Sequence, residues 1–384
     1  MTYIKKLLKF LILFFGLLII ILYITDTDYL IKAVRTIYLK GHTTAFLEDY
    51  KEFDNQSIAA SENPQPWPNH VDYNSVEATE TLKKANKDWG TIAYVIIKND
   101  SIWFEEYYDG FGEDSKSNSF SMAKSYVSGM LGKAIMEGHI KSLDQPVCDF
   151  LPAFCDEKAA SMTVGDLSSM ASGTNWDEAY YSPLSITTRA YFDDDLAKVI
   201  NGLKVVDTPG QRFKYASGDT QMLAMVIEKA TGKKLYEYLE HSFWKPLGSE
   251  HDALWQVDSE GHDLVKAYCC IASDAKDFAR FGKLYKDHGK WNGQQLLDSA
   301  FIAKSVTPRF SESPMYGYGW WLMEHLDKSF FMMQGHLGQY VIVQPEDNVI
   351  IVRLGHSKGP GNPLETYTDD IPVYIEEAYQ MLNN

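Results

Sequence analysis

The stretch Ser119-Phe120-Ser121-Met122-Ala123-Lys124-Ser125-Tyr126-Val127-Ser128-Gly129-Met130-Leu131-Gly132-Lys133-Ala134-Ile135 puts a serine three residues before a lysine at the head of an apolar run. Ala123, Val127, Met130, Leu131 and Ala134 recur at helical spacing, so the segment predicts a long amphipathic helix. Ser121 and Lys124 then stand one turn apart on one face. Lys124 has Met122, Ala123, Val127 and Met130 for neighbours, and desolvation brings a lysine's pKa down toward a range where the amine accepts protons. The N–H groups of a helix start offer partners to an oxyanion formed at the serine. Taken alone, the segment fits a plain N-cap serine equally well. Ser-x-x-Lys is short enough to recur by chance, and it does at Ser273-Asp274-Ala275-Lys276, which reads as an N-cap with an acidic first turn.

The flanking sequence frames this helix with strands. Thr79 to Asp88 predicts a short helix, and Thr91 to Lys98 and Ser101 to Tyr108 are β-rich runs joined by Asn99-Asp100, a hairpin signal. At the other end, Tyr318 to Met323, Phe330 to Gln334, Gln339 to Gln344 and Val349 to Leu354 predict strands, and Ile371 to Leu382 a final helix. Between them the chain is mostly helical to about residue 310. An α/β (α+β) class follows: one antiparallel sheet built from both ends of a single domain, flanked by helices and carrying an inserted helical region.

Two further segments bear on Ser121. Thr208-Pro209-Gly210-Gln211-Arg212-Phe213-Lys214-Tyr215-Ala216-Ser217-Gly218 leads into a helix and places Tyr215 just before its start. Gln334-Gly335-His336-Leu337-Gly338-Gln339 opens a strand, with glycines that let a substrate lie against the edge. Singly, Tyr215 reads as a core aromatic and His336 as a structural histidine.

In this order the three segments resemble the serine β-lactamase and penicillin-binding-protein superfamily, in its class C-like branch with esterases, D-aminopeptidases and 6-aminohexanoate-oligomer hydrolases. Ser121-x-x-Lys124 matches the first motif, Tyr215-Ala216-Ser217 stands where the family has Tyr-x-Asn, and His336-Leu337-Gly338 where penicillin-processing members have Lys-Thr-Gly. The resemblance runs from about Trp89 to the C-terminus and includes Tyr316-Gly317-Tyr318-Gly319-Trp320. It implies a β-lactamase/transpeptidase-like fold and an acyl-enzyme on Ser121, with Lys124 and Tyr215 sharing removal of its proton, Tyr215 acting as a phenolate. It also implies an oxyanion hole from the N–H groups of Ser121 and Gln339, and substrate contacts from Ser217, His336 and Gly338. His336 in place of a fixed cation weakens the grip on a carboxylate-bearing substrate. The loop Asn175-Trp176-Asp177-Glu178-Ala179-Tyr180-Tyr181 has an aromatic and acidic content suited to capping a pocket, but an ordinary solvated loop with anchoring aromatics is the preferred reading.

The 384-residue chain carries a net charge of −16 without a basic stripe, which argues against a nucleic-acid partner. Lys5, Lys6 and Lys9 precede an apolar run from Phe10 to Ile24, and no small residues mark a cleavage site behind it. Residues 1–25 therefore read as an uncleaved anchor in the inner (plasma) membrane, residues 26–74 as a linker or strap around Pro64, Pro66 and Pro68, and residues 75–384 as an extracytoplasmic, periplasmic hydrolase domain. Cys148 and Cys155 are close enough in sequence to bridge if their loop closes, whereas Cys269 and Cys270 read as small buried residues. No metal or other cofactor is expected. The expected function is hydrolysis of a small ester or amide, or a peptide. The alternatives are a D,D-peptidase or β-lactamase, and a non-catalytic envelope sensor.

Overall fold

Thr91–Lys98 and Ser101–Tyr107 are rich in β-branched and aromatic residues, and between them Asn99 and Asp100 take φ of 50° and 60°. A two-residue hairpin turn demands that left-handed pair. The computed structural model, which describes residues 2–361 and 367–383, places the hairpin at one edge of a six-stranded antiparallel sheet. From that edge the order is Ser101–Tyr107, Thr91–Lys98, Val349–Gly355, Gln339–Gln344, Lys328–Gly335 and Trp321–His325. The two ends of the domain thus meet in one sheet, as expected, with Val349 opposite Lys98 and Val352 opposite Val95.

Both faces of this sheet are covered, so its central strands read as continuous apolar runs rather than as alternation. Ile96, Ile342 and Ile351 face Leu82 of the helix Glu80–Asp88 and Ile371, Tyr374 and Ile375 of the helix Asp370–Leu382. Val95, Val341 and Val352 face the other way, toward Phe278 and Phe281 of the helix Ala275–Lys286. Beneath lies Ala123–Met136, which departs from the amphipathic expectation because its polar side is buried too. The Ser125 and Ser128 hydroxyls donate to the carbonyls of Gly319 and Tyr318 at 2.6 and 2.7 Å, which replaces the water they lose. Gly129 and Gly132 let Phe281 and Phe301 close on the helix.

A second, four-stranded antiparallel sheet joins Asn55–Ile58, Ala253–Gln256, Ile271–Ser273 and Ser117–Asn118 in that order. Part of the segment read as linker is therefore structural. It contributes the strand Asn55–Ile58, the helix Tyr29–Thr36 and the buried carboxylate of Asp49, which accepts from Asn118, Gln256 and Tyr191. Around Pro64 and Pro68 it runs over the surface, with Trp67 donating to the Lys276 carbonyl at 3.1 Å. Cys148 and Cys155 are disulfide-bonded. Cys269 and Cys270 are buried as expected, but they are bonded to each other rather than free.

The tight seat of the central helix has a measurable consequence. A Cβ at Gly132 would stand 2.4 Å from the Phe301 ring, whereas at Gly261 it would meet nothing within 4 Å. Gly132→Ala is expected to lower unfolding free energy in urea by about 1–3 kcal/mol through overpacking. Gly261→Ala should stay within about 0.5 kcal/mol of the parent.

Candidate active site

The strand Ser117–Asn118 runs directly into the 3₁₀ turn Phe120–Met122 and then the central helix. Ser119 N–H donates to the Ile271 carbonyl at 2.7 Å, and Asn118 Oδ1 accepts from the Phe120 N–H at 2.8 Å. Phe120 is held at φ 46°, a conformation that costs a bulky residue roughly 1–3 kcal/mol. Its side chain is buried edge-on against the His336 ring, with centroids 5.5 Å apart. Gly335 lets the neighbouring strand approach: a Cβ there would lie 2.3 Å from the Ser119 carbonyl oxygen. Ser121 thus sits in a turn fixed from three sides, and neither that turn nor the helix behind it is capped by a side chain.

Lys124 is 3% exposed, and its Nζ donates to Ser121 Oγ at 2.9 Å and to the Tyr268 carbonyl at 2.7 Å. Burial brings its amine down to about 8, against the opposing pull of the Glu178 carboxylate. The Tyr215 ring centroid lies 5.1 Å from the same Nζ. Burial, and then Glu178, drive the Tyr215 phenol well above its ordinary value, while a hydrogen bond with Ser121 opposes them. Burial thus works against the expected phenolate at Tyr215 and toward the free amine at Lys124.

Glu178 is the residue that the sequence reading missed. The loop is solvated over most of its length, with Asn175, Asp177, Ala179, Tyr180 and Tyr181 exposed, and Trp176 anchors it: the indole is 1% exposed and packs on Gly218, where a Cβ would come within 2.4 Å of it. Glu178 Oε1 accepts from Trp176 Nε1 at 3.0 Å and from the Ser217 N–H, at the head of the helix Ser217–Thr231. Its Oε2 is buried with no hydrogen-bond partner among the described residues. Ser217 is shorter than asparagine, and the carboxylate packs against its backbone. The available signal was the aromatic and acidic make-up of the loop.

The other expected residues are brought to the same region. His336 lies in the turn between Lys328–Gly335 and Gln339–Gln344 rather than opening a strand. It stacks on Tyr180 with centroids 5.6 Å apart, and its Nε2 is 3.5 Å from Thr44 Oγ1. Burial, aided by Lys358, pushes its imidazole down to about 4, so it is uncharged at neutral pH. Gly338, at φ 84°, leaves room for the buried guanidinium of Arg353, which donates to the Leu337, Gly338 and Ser357 carbonyls. The Gln339 side chain bonds Gly355 in both directions, which leaves only its backbone to face a substrate.

The second Ser-x-x-Lys match is elsewhere. Asp274, not Ser273, caps the helix Ala275–Lys286, and Lys276 pairs with Glu105 and Glu113. A third match, Ser242-Phe243-Trp244-Lys245, has its lysine paired with Glu240 at 2.7 Å. His251, Asp274 and Asp277 converge in the way a cation site would, but Asp277 already accepts from Arg280 and from the N–H groups of Glu250 and His251.

Residues 77–371 match the family model described as Beta-lactamase. The chain is 25% identical over 302 residues to a 6-aminohexanoate-dimer hydrolase of Paenarthrobacter ureafaciens, covering 73% of this chain and 76% of that one. Among solved structures it resembles an octameric penicillin-binding protein homologue from Pyrococcus abyssi, with TM-score 0.59 and 19% identity over 79% of this chain and 75% of that one. It also resembles a D-stereospecific amidohydrolase from a Streptomyces species, with TM-score 0.57 and 17% identity over 72% and 94% of the two chains.

The electrostatics of the lysine can be tested directly. Reaction of Ser121 with a fluorophosphonate should quicken as pH rises through about 8, because the free amine that accepts the serine proton accumulates above that value. Glu178 holds the Lys124 proton on, so Glu178→Gln should move this rise to lower pH. A shift to higher pH would contradict the assigned sign.

Proposed function

The chain belongs to the beta-lactamase family of serine hydrolases, and from that premise we propose that it is a membrane-anchored, extracytoplasmic hydrolase that cleaves an ester or amide through an acyl-enzyme on Ser121. The observation that carries the reading is the 2.9 Å contact between Ser121 Oγ and a buried amine brought down to about 8. In the amine form Lys124 takes the serine proton as Oγ attacks the carbonyl carbon, and the Tyr268 carbonyl steadies the ammonium that results. Tyr215, a neutral phenol beside Oγ, passes its proton to the leaving group and regains one from Lys124. Water then repeats the sequence in reverse on the acyl-enzyme. The N–H groups of Ser121 and Gln339 are the proposed oxyanion donors, each typically worth about 3–4 kcal/mol in such sites.

The helix Thr2–Ile24 is long and apolar enough to cross a membrane, and none of its most apolar window is buried inside the protein. Lys5, Lys6 and Lys9 ahead of it favour a cytoplasmic N-terminus and an extracytoplasmic body. Anchoring is the use we propose for it.

Substrate choice follows from charge. Among the described residues, the cavity beside Ser121 is lined by no aspartate, glutamate, lysine or arginine, and His336 within it is neutral. A carboxylate entering it loses hydration and meets no cationic side chain on that lining. Aryl acetates should therefore be hydrolysed with a kcat/KM above that for a chromogenic cephalosporin, and the opposite order would sink the esterase-like reading. Ser121→Ala should abolish fluorophosphonate labelling, whereas Ser273→Ala should leave it intact.

A further inference from the structure

The cavity that opens on Ser121 has a volume of about 310 Å³, and its composition is uneven. Near the serine it offers hydroxyls and the imidazole of His336. Hydrocarbon is supplied by Leu30, Ala33 and Val34 of the helix Tyr29–Thr36, by Ile37 just after it and by Phe192. That helix follows the apolar helix Thr2–Ile24 after only Thr25, Asp26, Thr27 and Asp28.

The junction is fixed in place. Asp26 pairs with Arg189 and, at 2.9 Å, with Lys198, while Tyr29 donates to the Pro183 carbonyl at 3.1 Å. Arg189 belongs to the helix Ile186–Phe192, which supplies Thr187, Thr188, Tyr191 and Phe192 to the same cavity. The membrane-proximal end of the chain is thus clamped to two walls of the pocket. Around it, Ile31, Val34, Tyr38, Leu39, Tyr181 and Leu184 are exposed, and Val34, Tyr38 and Tyr181 also line the cavity. Clustered apolar exposure of this kind marks contact with another apolar phase.

We propose that the cavity is an acyl-chain site, and that the substrate is an ester whose acyl part is a long hydrocarbon chain drawn from the lipid phase beside the anchor. The inference rests on the hydrolase reading above and names the substrate class for that site. The occupant must bring a carbonyl carbon to Ser121 Oγ while its remainder lies on the helix at 29–36. A peptide or sugar there would bury polar groups against side chains that cannot bond them. A hydrocarbon chain loses nothing. In the reaction the bond from Oγ to the acyl carbon forms, the bond from that carbon to the lipid alcohol oxygen breaks, and the alcohol leaves with the proton from Tyr215. Water then releases the fatty acid and restores Ser121.

The test compares 4-nitrophenyl acetate with 4-nitrophenyl octanoate, using full-length protein in nonionic detergent. Each fully buried methylene strengthens binding by roughly fourfold, so kcat/KM for the octanoate should exceed that for the acetate by at least about tenfold. Val34 is half-exposed on the cavity wall, outside the buried core. Val34→Asp should lower the ratio of octanoate to acetate kcat/KM by about tenfold, and Val34→Leu should keep the parent ratio. An octanoate rate no better than acetate overturns the acyl-chain site. So does an octanoate preference that Val34→Asp leaves unchanged, since that preference would come from partition into detergent. In either case, retained acetate turnover and Ser121 labelling leave the hydrolase reading standing. Loss of all ester turnover together with labelling removes that reading and this inference with it.

Discussion

An ammonium buried away from water is among the costliest groups a fold can hold, and the disposition of this protein's centre follows from how Lys124 is kept there. The solution is a single backbone carbonyl, that of Tyr268, and one hydroxyl, that of Ser121. With so few partners the charged form is only weakly supported, and the amine titrates near 8 rather than near its value in water. The reactivity of the site therefore depends on where the loop from Val265 to Cys270 is placed. Trp255 donates to the carbonyls of Lys266 and Cys269, and Gln221 bonds Val265 and Ala267. Gln221 lies on the helix that follows Tyr215, so the phenol and the lysine's carbonyl partner are held by one piece of scaffold.

The second constraint is the geometry of the Ser121 turn. Ile271, just past the loop that holds Lys124, pairs with Ser119, and the strand carrying Ile271 pairs with Ser117 and Asn118. Serine and lysine are thus positioned by the same short strand. The positive φ at Phe120 is sustained by contacts on each side, through Asn118, His336 and the approach permitted by Gly335. Arg353 serves the far side of the cleft in the same way. Its buried guanidinium gathers the carbonyls of the His336 turn together with that of Trp89, just ahead of the strand Thr91–Lys98.

The hairpin at Asn99-Asp100, the strand at 339–344 and the final helix were legible in the sequence, because period and turn chemistry act over a few residues. The union of both ends in one sheet followed from their order. Ser121, Lys124, Tyr215 and His336 were legible as residues through the resemblance, but their states were not. The neutrality of Tyr215 depends on burial by distant segments and on Glu178, which lies 37 residues earlier in the chain. The central helix misled because its polar face is satisfied by carbonyls at 318 and 319, far away in sequence. The segment from Tyr38 to about Asn74 shows no clear periodicity because much of it is short strand, 3₁₀ turn and strap, each too brief to register.

The junction at Asp26 also governs how such a protein would search. On the proposed anchoring, the pocket-lining helix begins a few residues from the lipid and is clamped to the body by Arg189 and Lys198, so no flexible tether lets the catalytic domain roam. Encounter with substrate becomes two-dimensional diffusion. Turnover would then be governed by the substrate's surface density in the plane of the bilayer, and dilution of the surrounding aqueous volume would leave it unchanged.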